Sequence, residues 1–144
     1  MSNFQSALIR ASAFEQCDRL ASVKAFCDSH LAEKITLKTV ADIACLEYTY
    51  FSSYFHNTVG VRFGDWLRYQ RVLRAQSVIR GSTMPLSKLA KQCGFNNLRT
   101  FQRAFRRVTG MTPRQFRREV RLGFAAYNAP LPGFSLPESP ADSL

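Results

Sequence analysis

Arg99, Gln102, Arg103 and Arg106 carry the most usable chemistry in this chain. Steps of three and four residues place them along one side of a helix, with Asn97 and Leu98 ahead of them. An Arg fork suits the guanine edge and a Gln amide the adenine edge, each through two hydrogen bonds at once. The chemistry on offer is recognition of bases. Bond-making has no comparable support: Glu47 and Asp65 stand alone, His30 falls at a helix end, and no Gly-rich phosphate loop or nucleophile elbow is present. We therefore expect no enzymatic activity. Cys17, Cys27, Cys45 and Cys93 are scattered, with only His30 and His56 to join them. That spacing suits no zinc site, so the expectation is reduced, mostly buried thiols and no metal or other cofactor.

Charge points the same way. Of 144 residues, 20 are Lys or Arg and 10 are Asp or Glu, a net +10. The excess is confined to one block. Residues 1–61 carry a net −1 and residues 122–144 a net −2, whereas residues 62–121 hold fifteen cations against only Asp65 and Glu119. Thirteen of the fifteen are Arg, the side chain suited to phosphates and guanine edges. A solvated helical surface normally mixes signs, so the block favours a polyanionic partner, nucleic acid ahead of an acidic membrane. No apolar run approaches the ~18 residues of a membrane span, and the N-terminus lacks a secretory signal. A cytoplasmic, nucleoid-associated protein is expected.

Helical spacing runs through the chain and predicts seven helices. Residues 18–31 place Leu20, Val23, Phe26, Cys27 and Leu31 on one stripe. Thr36 can cap a short helix with Val40 and Ala41 inward, and a second carries Phe51 and Phe55 before Gly60. A longer helix from about 63 to 79 turns Trp66, Leu67, Val72, Ala75 and Ile79 inward. Leu86 to Cys93, then Phe101 to Val108, repeat the short pair, closed by Gly94 and Gly110. Pro113 suits the first turn of the last helix, which buries Phe116. No stretch alternates as a strand does. Residues 1–17 read as a flexible extension, and the Pro-rich residues 122–144 as a disordered tail.

The short pair is an internal repeat. Residues 35–41 align with 84–90, and after one inserted residue Phe51, Phe55 and Gly60 align with Phe101, Phe105 and Gly110. Each copy reads as helix, tight turn, helix, the helix-turn-helix arrangement. The aromatics are core. The outward face of the first copy offers Thr49, Tyr50, Ser52, Ser53 and His56, with no cation, and should bind more loosely. Arg62, Arg68, Arg71, Lys88, Arg106, Arg107, Arg114, Arg117 and Arg118 are expected at phosphates, which set register without reading sequence. The linking helix could place the two reading helices about one turn of B-DNA apart, roughly 34 Å, so that a monomer reads two successive major grooves.

Residues 18–121 resemble the DNA-binding domain of the AraC/XylS family of bacterial transcription regulators. The resemblance rests on Ile35-Thr36-Leu37-x-x-Val40-Ala41, Phe51-Ser52-x-x-Phe55, Trp66-Leu67-Arg68 with Arg71-Val72-x-x-Ala75, and above all the run from Gly94-Phe95 through Phe101-x-Arg103-x-Phe105-Arg106-Arg107-x-x-Gly110-Met111-Thr112-Pro113-x-x-Phe116-Arg117. It implies an all-α fold of seven helices: two helix-turn-helix subdomains (18–60 and 81–121) joined by a long linker helix (61–80). It also implies base reading by Thr49, Ser52 and Ser53, then by Leu98, Arg99, Gln102 and Arg103. The implied activity is promoter binding that usually activates through RNA polymerase. Two positions depart from the family pattern: Cys45 stands where Gly is common, and Ser53 where Arg or Lys is common. Short stand-alone members lack a sensory domain, so no small-molecule effector pocket is expected. The alternative function is an architectural or antagonist protein that occupies DNA without activating.

Overall fold

The structure is a computed structural model describing residues 9–123. All regular structure among these residues is helical: α1 (Ala13–Gln16), α2 (Asp18–Ser29), α3 (Leu37–Ile43), α4 (Tyr48–Val59), α5 (Phe63–Gly81), α6 (Leu86–Gln92), α7 (Leu98–Thr109) and α8 (Pro113–Arg121). The last seven match the helices expected from sequence, and α1 is additional. Residues 124–144, most of the expected disordered tail, lie outside the described residues.

Local chemistry sets the helix ends. The Thr36 hydroxyl accepts from Thr39 N–H, and Asn97 Oδ1 accepts from Thr100 N–H at 2.8 Å. Thr112 and Gln115 form a reciprocal capping box at the start of α8, where Pro113 leaves no donor unsatisfied. Gly60 and Gly110 end α4 and α7 in the left-handed conformation.

The repeat is physical. The short first helix of each copy ends in the equivalent backbone bond: Leu46 N–H to Ala41 O in the first and Phe95 N–H to Ala90 O in the second, both 2.9 Å. Phe51, Phe55, Phe101 and Phe105 are fully buried. The correspondence runs further than the sequence reading took it. Trp66 near the start of α5 packs on Phe55, and Phe116 of α8 packs on Phe105, with ring centroids 5.6 and 5.5 Å apart. Each unit is therefore three helices deep, and α5 serves both. It buries Phe63, Trp66 and Leu67 near its start and Ala75, Gln76 and Ile79 near its end.

The N-terminal segment differs from expectation. From Ile9 onward it is packed: Ile9, Ala13 and Phe14 are buried, and Phe14 stacks on Trp66 at 5.1 Å. Arg10 N–H bonds to Val59 O at 2.7 Å, which anchors the segment at the end of α4. A four-residue helix is too short for its periodicity to show in sequence. Its apolar residues read as a tail because their partner lies some fifty residues away.

The turns of the two copies differ in strain. Cys45 has φ of 59°, the left-handed region, where its counterpart is Gly94 at 95°. The position thus carries a backbone requirement that glycine meets freely, and this chain meets it at Cys45 with a side chain at a cost of roughly 1–2 kcal/mol. Cys45→Gly should raise stability by about 0.5–1 kcal/mol once the greater freedom of the unfolded glycine is subtracted. A urea midpoint equal to or below wild type would count against that strain. The thiols are also more varied than expected. Cys45 is exposed, while Cys27 and Cys93 are buried and pushed by desolvation to about 12 and about 11. Cys17 is half-buried, and a hydrogen bond with the Tyr54 hydroxyl draws its pKa down.

Candidate nucleic-acid interface

Helix α7 separates its residues cleanly by face. Phe101, Ala104, Phe105, Val108 and Thr109 are buried, leaving Leu98, Arg99, Gln102, Arg103, Arg106 and Arg107 outward. Lys24–Asp28, Lys38–Asp42 and Arg68–Asp65 form ion pairs, and none of these involves α7 or α8. The outward arginines of α7 keep their forks for a partner. Beside them, Arg114, Arg117, Arg118 and Arg121 of α8 line a groove of about 610 Å³ with Leu86, Ser87, Leu98 and Gln102. A phosphate there would meet several guanidiniums beside the outward face of α7. Asn97 is the exception on this side, because its carbonyl is committed to the helix cap.

Helix α4 presents a different surface. Thr49, Tyr50, Ser53 and His56 are exposed and Ser52 is partly so, while Phe51, Phe55 and Val59 face the core. Tyr50 is 58% exposed and stacks on Tyr54. The feature missed in the sequence is Glu47. Its carboxylate accepts from the Thr49 hydroxyl and from the Thr49 and Tyr50 N–H groups, which depresses its pKa. Glu47 sits opposite Asn97 in the repeat, so the cap position was findable from the register. A negative charge thereby occupies the N-terminus of α4, where free N–H groups would otherwise attract phosphate. Thr49 is likewise partly committed, since its hydroxyl donates to Glu47.

The expected phosphate contacts divide into two groups. Arg62, Lys88, Arg106, Arg107, Arg114 and Arg118 are exposed. Three others are engaged by the protein. Arg71 is turned inward: Nε donates to Leu31 O at 3.1 Å and Nη2 to Glu33 O at 2.9 Å, and burial lowers its pKa. Arg117 donates to Met84 O at 2.7 Å and keeps its Nε buried. Arg68 pairs with Asp65 at 2.8 Å. Spacing marks such residues as basic, but only packing decides which fork is already spent.

Two similar helix-turn-helix units flanking one shared helix, each with an exposed polar face on its second helix, define a double helix-turn-helix domain of the DNA-binding class. A family model described as a helix-turn-helix domain matches residues 40–119. The chain belongs to the AraC/XylS family of bacterial transcription regulators. It is 27% identical over 101 residues to the arabinose operon regulatory protein of Escherichia coli, covering 69% of this chain and 35% of that one. It is 29% identical over 96 residues to a probable transcriptional regulator, LumQ, of Photobacterium leiognathi, covering 67% of this chain and 39% of that one. The chain spans only between about a third and two fifths of the length of these two relatives. Among solved structures, the DNA-binding domain of AdpA in complex with a target DNA is similar at TM-score 0.70 and 32% identity, covering 74% of this chain and 96% of that one. An AraC-type regulator from Chromobacterium violaceum shares the fold at TM-score 0.69 and 18% identity, covering 75% of this chain and 96% of that one.

Proposed function

We propose that this chain binds promoter DNA as a monomer, with α7 and α4 in two successive major grooves, and activates transcription through RNA polymerase. The outward face of α7 carries this reading: Arg99, Gln102 and Arg103 are exposed there, outside the ion pairs named above. In their roles, these three and Leu98 read bases on one half-site. Thr49, Tyr50, Ser52, Ser53 and His56 read the other more loosely, and Asn97 holds the start of α7. Exposed Arg62, Lys88, Arg106, Arg107, Arg114 and Arg118 hold phosphates. Helix α5 has 19 residues and is about 28 Å long, which suits units one turn of DNA apart. The complex of the AdpA domain with its target DNA supports the same use of this fold.

Selection from a randomised duplex library tests the proposal. The expected result is a site with two half-sites about one helical turn apart, the one under α7 better defined. Steep salt-dependent binding with no enriched sequence would favour an architectural or antagonist protein instead. The cation-free face of α4 and its Glu47 cap are the observations on the side of that second reading. On the enriched site, Arg103→Ala should cost about 1–3 kcal/mol and flatten preference at one base pair. Equal weakening on scrambled DNA would make Arg103 a phosphate contact. A reporter driven by the enriched site separates activation from mere occupancy.

A further inference from the structure

The Leu31 carbonyl is where three parts of the fold meet. Leu31 follows α2 and leads toward α3, so its oxygen has no helical partner of its own. From the middle of α5, Arg71 donates Nε to this oxygen and Nη2 to Glu33 O, at 3.1 and 2.9 Å. From the other half of the molecule, the turn before α7 presses on the same atom. A methyl group at Gly94 would lie 2.0 Å from Leu31 O and 2.5 Å from Arg71 Nε. The helices of the two units otherwise pack mainly within themselves and on α5. Gln70 and Arg74 reach the end of α2 at longer range, 3.4 Å to Asp28 Oδ1 and 3.3 Å to Asp28 O.

A planar fork on two carbonyls fixes direction as well as distance, which a single ammonium cannot do. Arg71 has no carboxylate partner among the described ion pairs. A half-buried charge held by carbonyl dipoles is a costly way to gain stability, and two of its donor atoms are already spent. What the arrangement supplies is orientation. One carbonyl refers the loop before α3 and α4, the shared helix, and the turn before α7 to each other.

We infer that Arg71 is a positioning residue that sets the half-site spacing this protein accepts, by locking the two recognition helices in one relative orientation. The inference rests on the two-site reading above. Each added base pair turns the second half-site by about 34° and moves it about 3.4 Å, so a rigid pair of helices rejects a shifted site and a loosened pair tolerates it.

The test titrates wild type, Arg71→Met and Arg71→Lys against the enriched duplex and against duplexes with the half-sites one base pair closer or farther. Scrambled DNA is the control, and circular dichroism checks folding of each variant. Wild type should lose about tenfold or more on either shifted site. For Arg71→Met that penalty should shrink to about threefold or less, at lower affinity for the enriched site and with an unchanged salt slope. Arg71→Lys should fall between, having a donor but no fork. A wild-type spacing penalty in folded Arg71→Met overturns the inference. So does equal loss on all duplexes with a salt slope reduced by about one, which marks a phosphate contact. If neither variant folds, Arg71 serves the fold rather than the spacing, and the inference is likewise overturned. A wild-type protein indifferent to spacing would remove the two-site reading itself, a different failure from any of these.

Discussion

Replacing Phe55 with alanine is expected to cost about 3–5 kcal/mol, a large share of the stability of a domain this size. Phe55 is fully buried and meets four rings: Phe63 edge-on at 5.4 Å, Trp66 at 5.6 Å, Phe51 at 5.8 Å and Phe14 at 6.0 Å. Those partners come from the N-terminal segment, α4 and α5, so no single element can move in to fill the gap. The lost ring contacts add to the lost burial, at roughly 0.5–1.5 kcal/mol each where geometry is good. Its counterpart Phe105 has Phe101 and Phe116 as its ring partners among the described residues, so Phe105→Ala should cost less. Urea unfolding of both variants decides the matter. A loss below about 1 kcal/mol at Phe55 would mean that the cluster collapses around the cavity.

Gly94→Ala should be the most damaging small substitution in the second unit. At φ of 95° any side chain is strained, costing roughly 1–2 kcal/mol. The added methyl also strikes the Leu31 carbonyl, a backbone atom of another segment, at 2.0 Å. Relieving that overlap must shift the α2–α3 loop or the α6–α7 turn, for a total of about 2–5 kcal/mol. Gly123→Ala offers the comparison, since its φ of 88° is also left-handed and an added methyl there meets nothing within 4 Å, so it should show the conformational cost alone. Thermal unfolding that ranked the two variants equally would show that the Leu31 loop yields freely.

The helices from α2 to α8 were legible because each buries one stripe against a neighbour, which sets residue type at steps of three and four. Thr36, Gly60, Gly110 and Pro113 announced their roles for local reasons, each satisfying or freeing backbone within one turn. The outward faces of α4 and α7 followed by subtraction of the buried positions. What the sequence could not carry was partnership across distance. Phe14 looks like a residue in a tail until Trp66 is placed beside it. Arg71 looks like any other cation until the Leu31 and Glu33 carbonyls are seen within reach of its fork. Glu47 is intermediate: its role is local, but it became visible only once the repeat register was applied to the cap as well as to the core.

The contact between Phe14 and Trp66 also makes the protein its own reporter. Trp66 is the chain's single tryptophan and is 2% exposed, so its emission monitors the first unit and the segment laid over it. Far-ultraviolet ellipticity, by contrast, sums all the helices. If both signals change together on heating, the two units and residues 9–16 melt as one cooperative body. A red shift of emission at full ellipticity would instead mark the departure of that segment alone, an opening of the kind that proteins confine to their least stable regions.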